Sequence, residues 1–185
     1  MDVQGNDREK SRPPTIDDLE AVCRELNKHD VKYILIGGFA ISYYGSERGT
    51  KDIDLLIDPS RENIENIRKA LAFLPDNAVQ EIALNDVEKY GVVRIMDEIT
   101  VDLMKKACDV TYKNAGIEHS QYKGINIPVA DLPTMIKTKQ TVRPKDKEDL
   151  RFLEDKLKEE QKQERKQKAV IKHPEQDIEH KGRHR

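Results

Sequence analysis

Asp52-Ile53-Asp54 places two carboxylates two residues apart at the head of an apolar run. Residues 52–57 are expected to form a strand, and alternate side chains of a strand share a face. Asp52 and Asp54 therefore project together, while Ile53 and Leu55 turn into the core. Carboxylates held this close repel each other, and a cation relieves the repulsion. Oxygen-only ligands suit Mg²⁺ or Mn²⁺ rather than zinc. A bare Asp-x-Asp also suits an exposed strand start with no metal. Upstream, the β-branched run Val31 to Ile36 is stopped by Gly37-Gly38. Glycine lets a backbone come close to a phosphate. The amides opening the short helix expected over Phe39 to Tyr44 aim at the same spot and favour an anion. A glycine pair alone also fits an ordinary tight turn. Ser46 and Arg48 stand in the polar loop of residues 46–51, where Arg48 is suited to triphosphate oxygens. Taken singly, Arg48 also reads as a solvated loop residue.

Read as one spaced string, Ile36-Gly37-Gly38-Phe39-Ala40, Gly45, Arg48, Thr50 and Asp52-Ile53-Asp54-Leu55-Leu56 resemble the polymerase-beta-like nucleotidyltransferase superfamily. The likeness is to its small prokaryotic members, the minimal nucleotidyltransferases and the abortive-infection type of toxin–antitoxin pairs. That pattern is a glycine pair, a spacer, Asp-x-Asp and a third carboxylate on a neighbouring strand. Many members have Gly-Ser where this chain has Gly37-Gly38. The third carboxylate is best placed at Asp102. In residues 99–103, Thr100 and Asp102 share one strand face and Val101 and Leu103 the other. Asp97 and Glu98 compete but read as hairpin-turn residues, and Asp58 reads as an N-cap. Asp131-Leu132-Pro133, Lys139, Thr141, Arg143-Pro144-Lys145-Asp146 and Asp149-Leu150 resemble the C-terminal helical motif of the same family. The resemblance covers residues 31–58, 99–104 and 131–153.

The resemblance implies transfer of a nucleoside monophosphate from a nucleoside triphosphate such as ATP, with release of pyrophosphate. Asp52 and Asp54 would hold two Mg²⁺ (or Mn²⁺) ions, and Asp102 the ion that activates the acceptor or the acceptor proton itself. Gly37, Gly38, Ser46, Arg48, Lys139 and Arg143 would bind the nucleotide, with Lys145 adding charge and Asp146 structural. The acceptor is left open between a small molecule, tRNA and a protein. Two alternatives stand beside this reading: a regulatory nucleotide-binding module without catalysis, and a toxin–antitoxin component acting on tRNA or a partner protein. No acceptor-pocket motif supports an antibiotic-modifying enzyme.

The elements that must position these residues follow from periodicity. Thr15 and Asp18 form a capping-box-like start, and Ile16, Leu19, Val22, Cys23 and Leu26 give a helix to about Lys28. Asp58-Pro59 opens a helix with Ile64, Ile67, Leu71 and Leu74 on one face. Residues 78–84, 91–96 and 99–104 read as strands, the last two as a hairpin, and Ile125 to Pro128 as a small edge strand. Asp131 and Pro133 open a helix to about Gln140. A long charged helix follows over residues 145–168, with Leu150, Leu153 and Leu157 inward. The order predicts an α+β (mixed α/β) nucleotidyltransferase fold: a short mixed sheet flanked by helices, with a C-terminal charged helix. The expected organisation is a disordered lead (1–14), the domain (15–153) and a charged helical extension with a disordered tail (154–185). Glu154/Lys158 and Glu164/Lys168 would support that extension.

Formal net charge is −2, so no global field draws nucleic acid or an anionic membrane. The mostly apolar stretch of residues 33–45 is shorter than the roughly 20 residues of a membrane helix, and residues 1–12 hold no apolar core of a signal peptide. Cys23 and Cys108 fit no metal spacing, and Cys23 reads as a buried free thiol; a cytoplasmic location is expected. His173, His180 and His184 are too loosely spaced for a metal site, and His29 and His119 sit near expected element ends. The sequence is compatible with a homo-oligomer.

Overall fold

The computed structural model describes residues 11–172, with side chains to residue 168. The expectations for the three tail histidines, and for the rest of the two termini, lie outside the described residues. The capping box forms as expected: Thr15 Oγ1 accepts from Asp18 N, and the Asp18 carboxylate accepts from Thr15 N at 2.6 Å. It opens α1 (Ile16–Lys28), which buries Leu19, Val22, Cys23 and Leu26. Residues 11–14, expected to be disordered, are fixed instead. Arg12 donates its backbone amide to Glu98 O at 2.9 Å and its guanidinium to Asp18 and Glu98. Pro14 is buried beside them.

Six strands make one mixed sheet in the order β3-β4-β2-β1-β8-β7. These are β1 (Tyr33–Ile36), β2 (Ile53–Ile57), β3 (Val92–Met96), β4 (Thr100–Met104), β7 (Ile117–Tyr122) and β8 (Ile125–Ala130). A separate small hairpin joins β5 (Lys106–Ala107) and β6 (Val110–Thr111). β1 and β2 are antiparallel, β2 and β4 parallel, and β3 and β4 form the expected hairpin. The central strands are almost wholly apolar because both faces are covered. On the face of Tyr33, α1 lies close enough for the Tyr33 hydroxyl to donate to Asn27 Oδ1 at 3.0 Å. α1 also packs on α3 (Arg61–Ala70). The short α2 (Gly37–Tyr43) follows β1 directly, and α5 (Leu132–Thr138) packs on α6 (Pro144–Lys172). Among the described residues no helix is long and apolar enough to cross a membrane.

Several local expectations are corrected. Ser60, not Asp58, holds the N-cap position of α3, with no side-chain capping bond; the Asp58 carboxylate accepts from Ser60 N at 2.9 Å, and Pro59 precedes the helix. Residues 78–84 are not a strand but include a 3₁₀ turn, Ala78–Glu81. Val79 in this turn and Ile82 just after it, both buried, are three apart rather than two, and Asn77 before the turn is left-handed with φ 51°. β8 is longer than expected and lies inside the sheet, between β1 and β7. The true edge, β7, was not foreseen: Ile117-Glu-His-Ser-Gln-Tyr122 has no apolar alternation to announce it. His119 is consequently inside a strand. The helix α4 (Asp86–Tyr90) was likewise not foreseen. In α6, Leu153 is fully buried while Leu150 and Leu157 are half-buried. Lys158 pairs with Asp155 at 2.9 Å rather than with Glu154.

The β3–β4 turn is held by Asp97, which is 2% exposed. Its carboxylate accepts from the amides of Asp76, Ala78 and Glu98 at 2.8–3.0 Å. Losing a buried acceptor strands those donors at a cost of about 2–3 kcal/mol. Asp97→Ala is therefore expected to lower the unfolding free energy, read from urea unfolding, by that much. A change within about 0.5 kcal/mol, the size of an ordinary surface substitution, would contradict this role.

Candidate active site

Asp54 on β2 and Asp102 on β4 are direct partners across a parallel strand pair, and Arg94 on β3 is the next partner along the same row. Partners in register share a face, so strand pairing alone brings these side chains together. Asp52 stands one step before β2 on the same face as Asp54. Asp52, Asp54 and Asp102 each offer one carboxylate oxygen, and these oxygens lie within 4.8 Å of one another. Asp102 is nearly buried, at 5% side-chain exposure, while Asp52 is more open at 29%.

The antiparallel register sets Ile36 opposite Asp54, so the chain leaves β1 directly against the carboxylates. Gly37 has φ 67°, and a Cβ there would fall 1.8 Å from Asp54 Oδ2. Glycine is required at this position on both counts. At Gly38 a Cβ would meet Thr50 Oγ1 at 2.3 Å. That hydroxyl donates to the backbone oxygen of Asp52 at 3.1 Å, steadying the loop end. Gly38 N donates to Asp54 Oδ2 at 3.4 Å.

The opposite wall comes from the α5–α6 junction. Lys139, itself nearly buried, lies 3.2 Å from Asp146 and 3.0 Å from Asp149. Arg48 reaches across from its loop to the same Asp149, with Nη2 donating to Oδ2 at 2.9 Å. Arg143 Nε and Thr141 Oγ1 both donate to Asp146 Oδ2. Burial works against the Asp146 charge, but Thr141, Arg143 and Lys139 hold it below its ordinary value. The two walls enclose a cleft of about 250 Å³. Gly37, Gly38, Arg48, Asp52, Asp54, Asp102, Lys139, Arg143 and Lys145 all line it. Ser46 does not line it: its hydroxyl accepts from Arg48 N at 3.5 Å within the loop.

Arg94 was missed by sequence reasoning. Its Nε and Nη2 grip Asp102 at 2.8 and 2.6 Å, and Nη2 lies 3.4 Å from Asp52. The available signal was one charge inside Val92-Val93-Arg94-Ile95-Met96; only the hairpin register shows that it faces Asp102.

Burial, then the charges of Asp52 and Asp102, push Asp54 up to about 7, against the Gly38 amide and Lys139. An all-oxygen donor set with one member reluctant to ionise fits a hard divalent cation, which would restore the charge.

A family model described as "Nucleotidyl transferase AbiEii toxin, Type IV TA system" matches residues 19–142. The chain belongs to this family. The matched span carries the glycine turn, all three aspartates, Arg94 and Lys139, while Asp146 and Asp149 fall just beyond it. Among solved structures, this AbiEii-family chain is similar to the lincosamide antibiotic adenylyltransferase LnuA, in its lincomycin-bound crystal structure. The identity is 14%, coverage is 77% of this chain and 98% of that chain, and the TM-score is 0.48. No curated protein matches the chain.

The raised Asp54 carboxyl has a measurable consequence. It titrates near 7 in the folded chain, against an ordinary 3.8. Between those values the folded state keeps a proton that the unfolded state has released. Stability of the cation-free protein is therefore lost as pH rises through that window. Asp54→Asn lacks this loss. In EDTA its stability relative to the parent chain, from urea unfolding, is expected to rise between about pH 4 and pH 8. A pH-independent difference would show that Asp54 ionises normally.

Proposed function

We propose that this chain transfers a nucleoside monophosphate from a nucleoside triphosphate to an acceptor hydroxyl, with Mg²⁺ or Mn²⁺ bound at Asp52, Asp54 and Asp102. The convergence of those three carboxylates beside the Gly37–Gly38 turn carries this reading. Membership of a nucleotidyl transferase family supports it. In the reaction a bond forms from the acceptor oxygen to the α-phosphorus. The bond from that phosphorus to the bridging oxygen breaks, and pyrophosphate leaves. Asp52 and Asp54 would hold two ions and Asp102 one of them. When bound, the ions supply neutralisation of charge on the attacking and leaving oxygens.

The chain's own residues supply position and charge. Gly37 and Gly38 leave room for phosphate against the backbone. Lys139, Arg48 and Arg143 present cations from one wall, each aimed by Asp146 or Asp149. Asp102, itself nearly buried, would hold one ion or take the acceptor proton. In an enzyme of this kind most of the acceleration comes from such preorganised charge. The family's description as a nucleotidyl transferase toxin of a type IV pair supports reading the chain as a toxin–antitoxin component, for which tRNA or a partner protein is the acceptor we propose.

The test is incubation of the purified chain and cell extract with Mg²⁺ and each α-labelled nucleoside triphosphate, with mass spectrometry of RNA, protein and small molecules. Label and pyrophosphate are expected to appear together. Asp52→Asn and Asp54→Asn are each expected to cut both by about a hundredfold or more. Tight nucleotide binding with no label on any acceptor would favour a regulatory binding module instead.

A further inference from the structure

Arg94 stands where a cation belongs. Its guanidinium makes a two-pronged pair with Asp102 and touches Asp52, so it spans two of the three proposed metal ligands. A planar fork on a carboxylate is among the stronger ion pairs a protein can make. The fork takes one lone pair on each Asp102 oxygen and sets a fixed positive charge against that carboxylate, so a metal ion approaching the same oxygens meets charge repulsion. The two partners differ in freedom. Asp102 is on β4, inside the sheet, with its side chain 5% exposed. Arg94 is on β3, the outermost strand at that end, with its side chain 55% exposed. Asp102 is fixed by its strand, whereas Arg94 has a long, half-exposed stem and, among the described residues, no strand beyond it.

We propose that Arg94 is a displaceable counter-ion that occupies the Asp102 side of the metal site until a divalent cation expels it. This rests on the metal-dependent reading above. In the metal-free chain, Arg94 relieves the repulsion among the three carboxylates and keeps Asp102 aimed into the cleft. The cost is competition: a cation reaching Asp102 must come up against the guanidinium charge, and moving that charge away breaks the fork. Arg94 therefore weakens metal binding and raises the metal concentration at which the site fills. The guanidinium released at the cleft mouth is then free to meet an anion arriving with the substrates.

Mn²⁺ binding to the nucleotide-free chain, followed by electron paramagnetic resonance, tests this without an activity assay. Arg94→Ala is expected to bind Mn²⁺ about five- to tenfold more tightly than the parent chain, as the loss of a competing charged pair should give. Arg94→Gln keeps a polar chain on the edge strand, guards against a folding defect in Arg94→Ala, and is expected to behave alike. Arg94→Lys keeps the charge without the fork and is expected to fall between. Lys145→Ala removes a charge from the facing wall and reports the unspecific effect, expected to be about twofold or less once salt screens it. Equal or weaker Mn²⁺ binding in Arg94→Ala and Arg94→Gln overturns the proposal, leaving Arg94 as a support that positions Asp102 for the metal. Tightening matched by Lys145→Ala overturns it too, in favour of a general charge effect. If the parent chain and every variant fail to bind Mn²⁺, the metal reading itself falls and this inference with it.

Discussion

Mutual repulsion of Asp52, Asp54 and Asp102 is the constraint around which the cleft is organised. Strand register forces it, because Asp54 and Asp102 are direct partners in the middle of a covered sheet. With oxygens within 4.8 Å of one another and an effective dielectric near 20, each ionised pair would cost about 3 kcal/mol or more. Every charged feature nearby answers that cost. Arg94 neutralises Asp102 and part of Asp52. Asp54 is pushed towards its protonated form, with Lys139 and the Gly38 amide opposing. A site that needs so much relief is poised to bind a cation.

The other buried carboxylates show what the same side chain does when fully partnered. Asp97 accepts three backbone amides and closes a turn. Asp146 receives Lys139, Arg143 and Thr141 and sits below its ordinary value, the opposite direction from Asp54. Asp149 ties Arg48, from the loop before β2, to Lys139 at the end of α5. All three acids work as anchors, and through Asp146 and Asp149 cations from distant parts of the chain line the same cleft as the triad. The difference between anchor and ligand is therefore set by partners, not by residue type.

That difference explains how far the sequence could be read. The glycine turn, Asp-x-Asp and Asp102 were legible because strand alternation and spacing fix which side chains share a face. The α1 cap and the apolar spacing of α3 were legible for the same local reason. Arg94, and the pairing of Arg48 with Asp149, were not, because they depend on register between strands and on contacts 101 residues apart. β7 was hidden because an edge strand with polar residues has no apolar signature, and residues 78–84 misled because their apolar residues satisfy a tight turn as well as a strand. Ser46 shows the limit of proximity in sequence: two residues from Arg48, it caps the loop instead of reaching the cleft.

We propose that the three aspartates together form a divalent-cation site beside the nucleotide phosphates. Anomalous diffraction at the manganese edge, from crystals grown with Mn²⁺ and a non-hydrolysable nucleoside triphosphate analogue, addresses it most directly. The expected result is a manganese peak in contact with Asp52, Asp54 and Asp102, with the triphosphate lying between the Gly37–Gly38 turn and Lys139. A nucleotide bound elsewhere, or manganese held without Asp102 while Arg94 keeps its grip on that carboxylate, would contradict it.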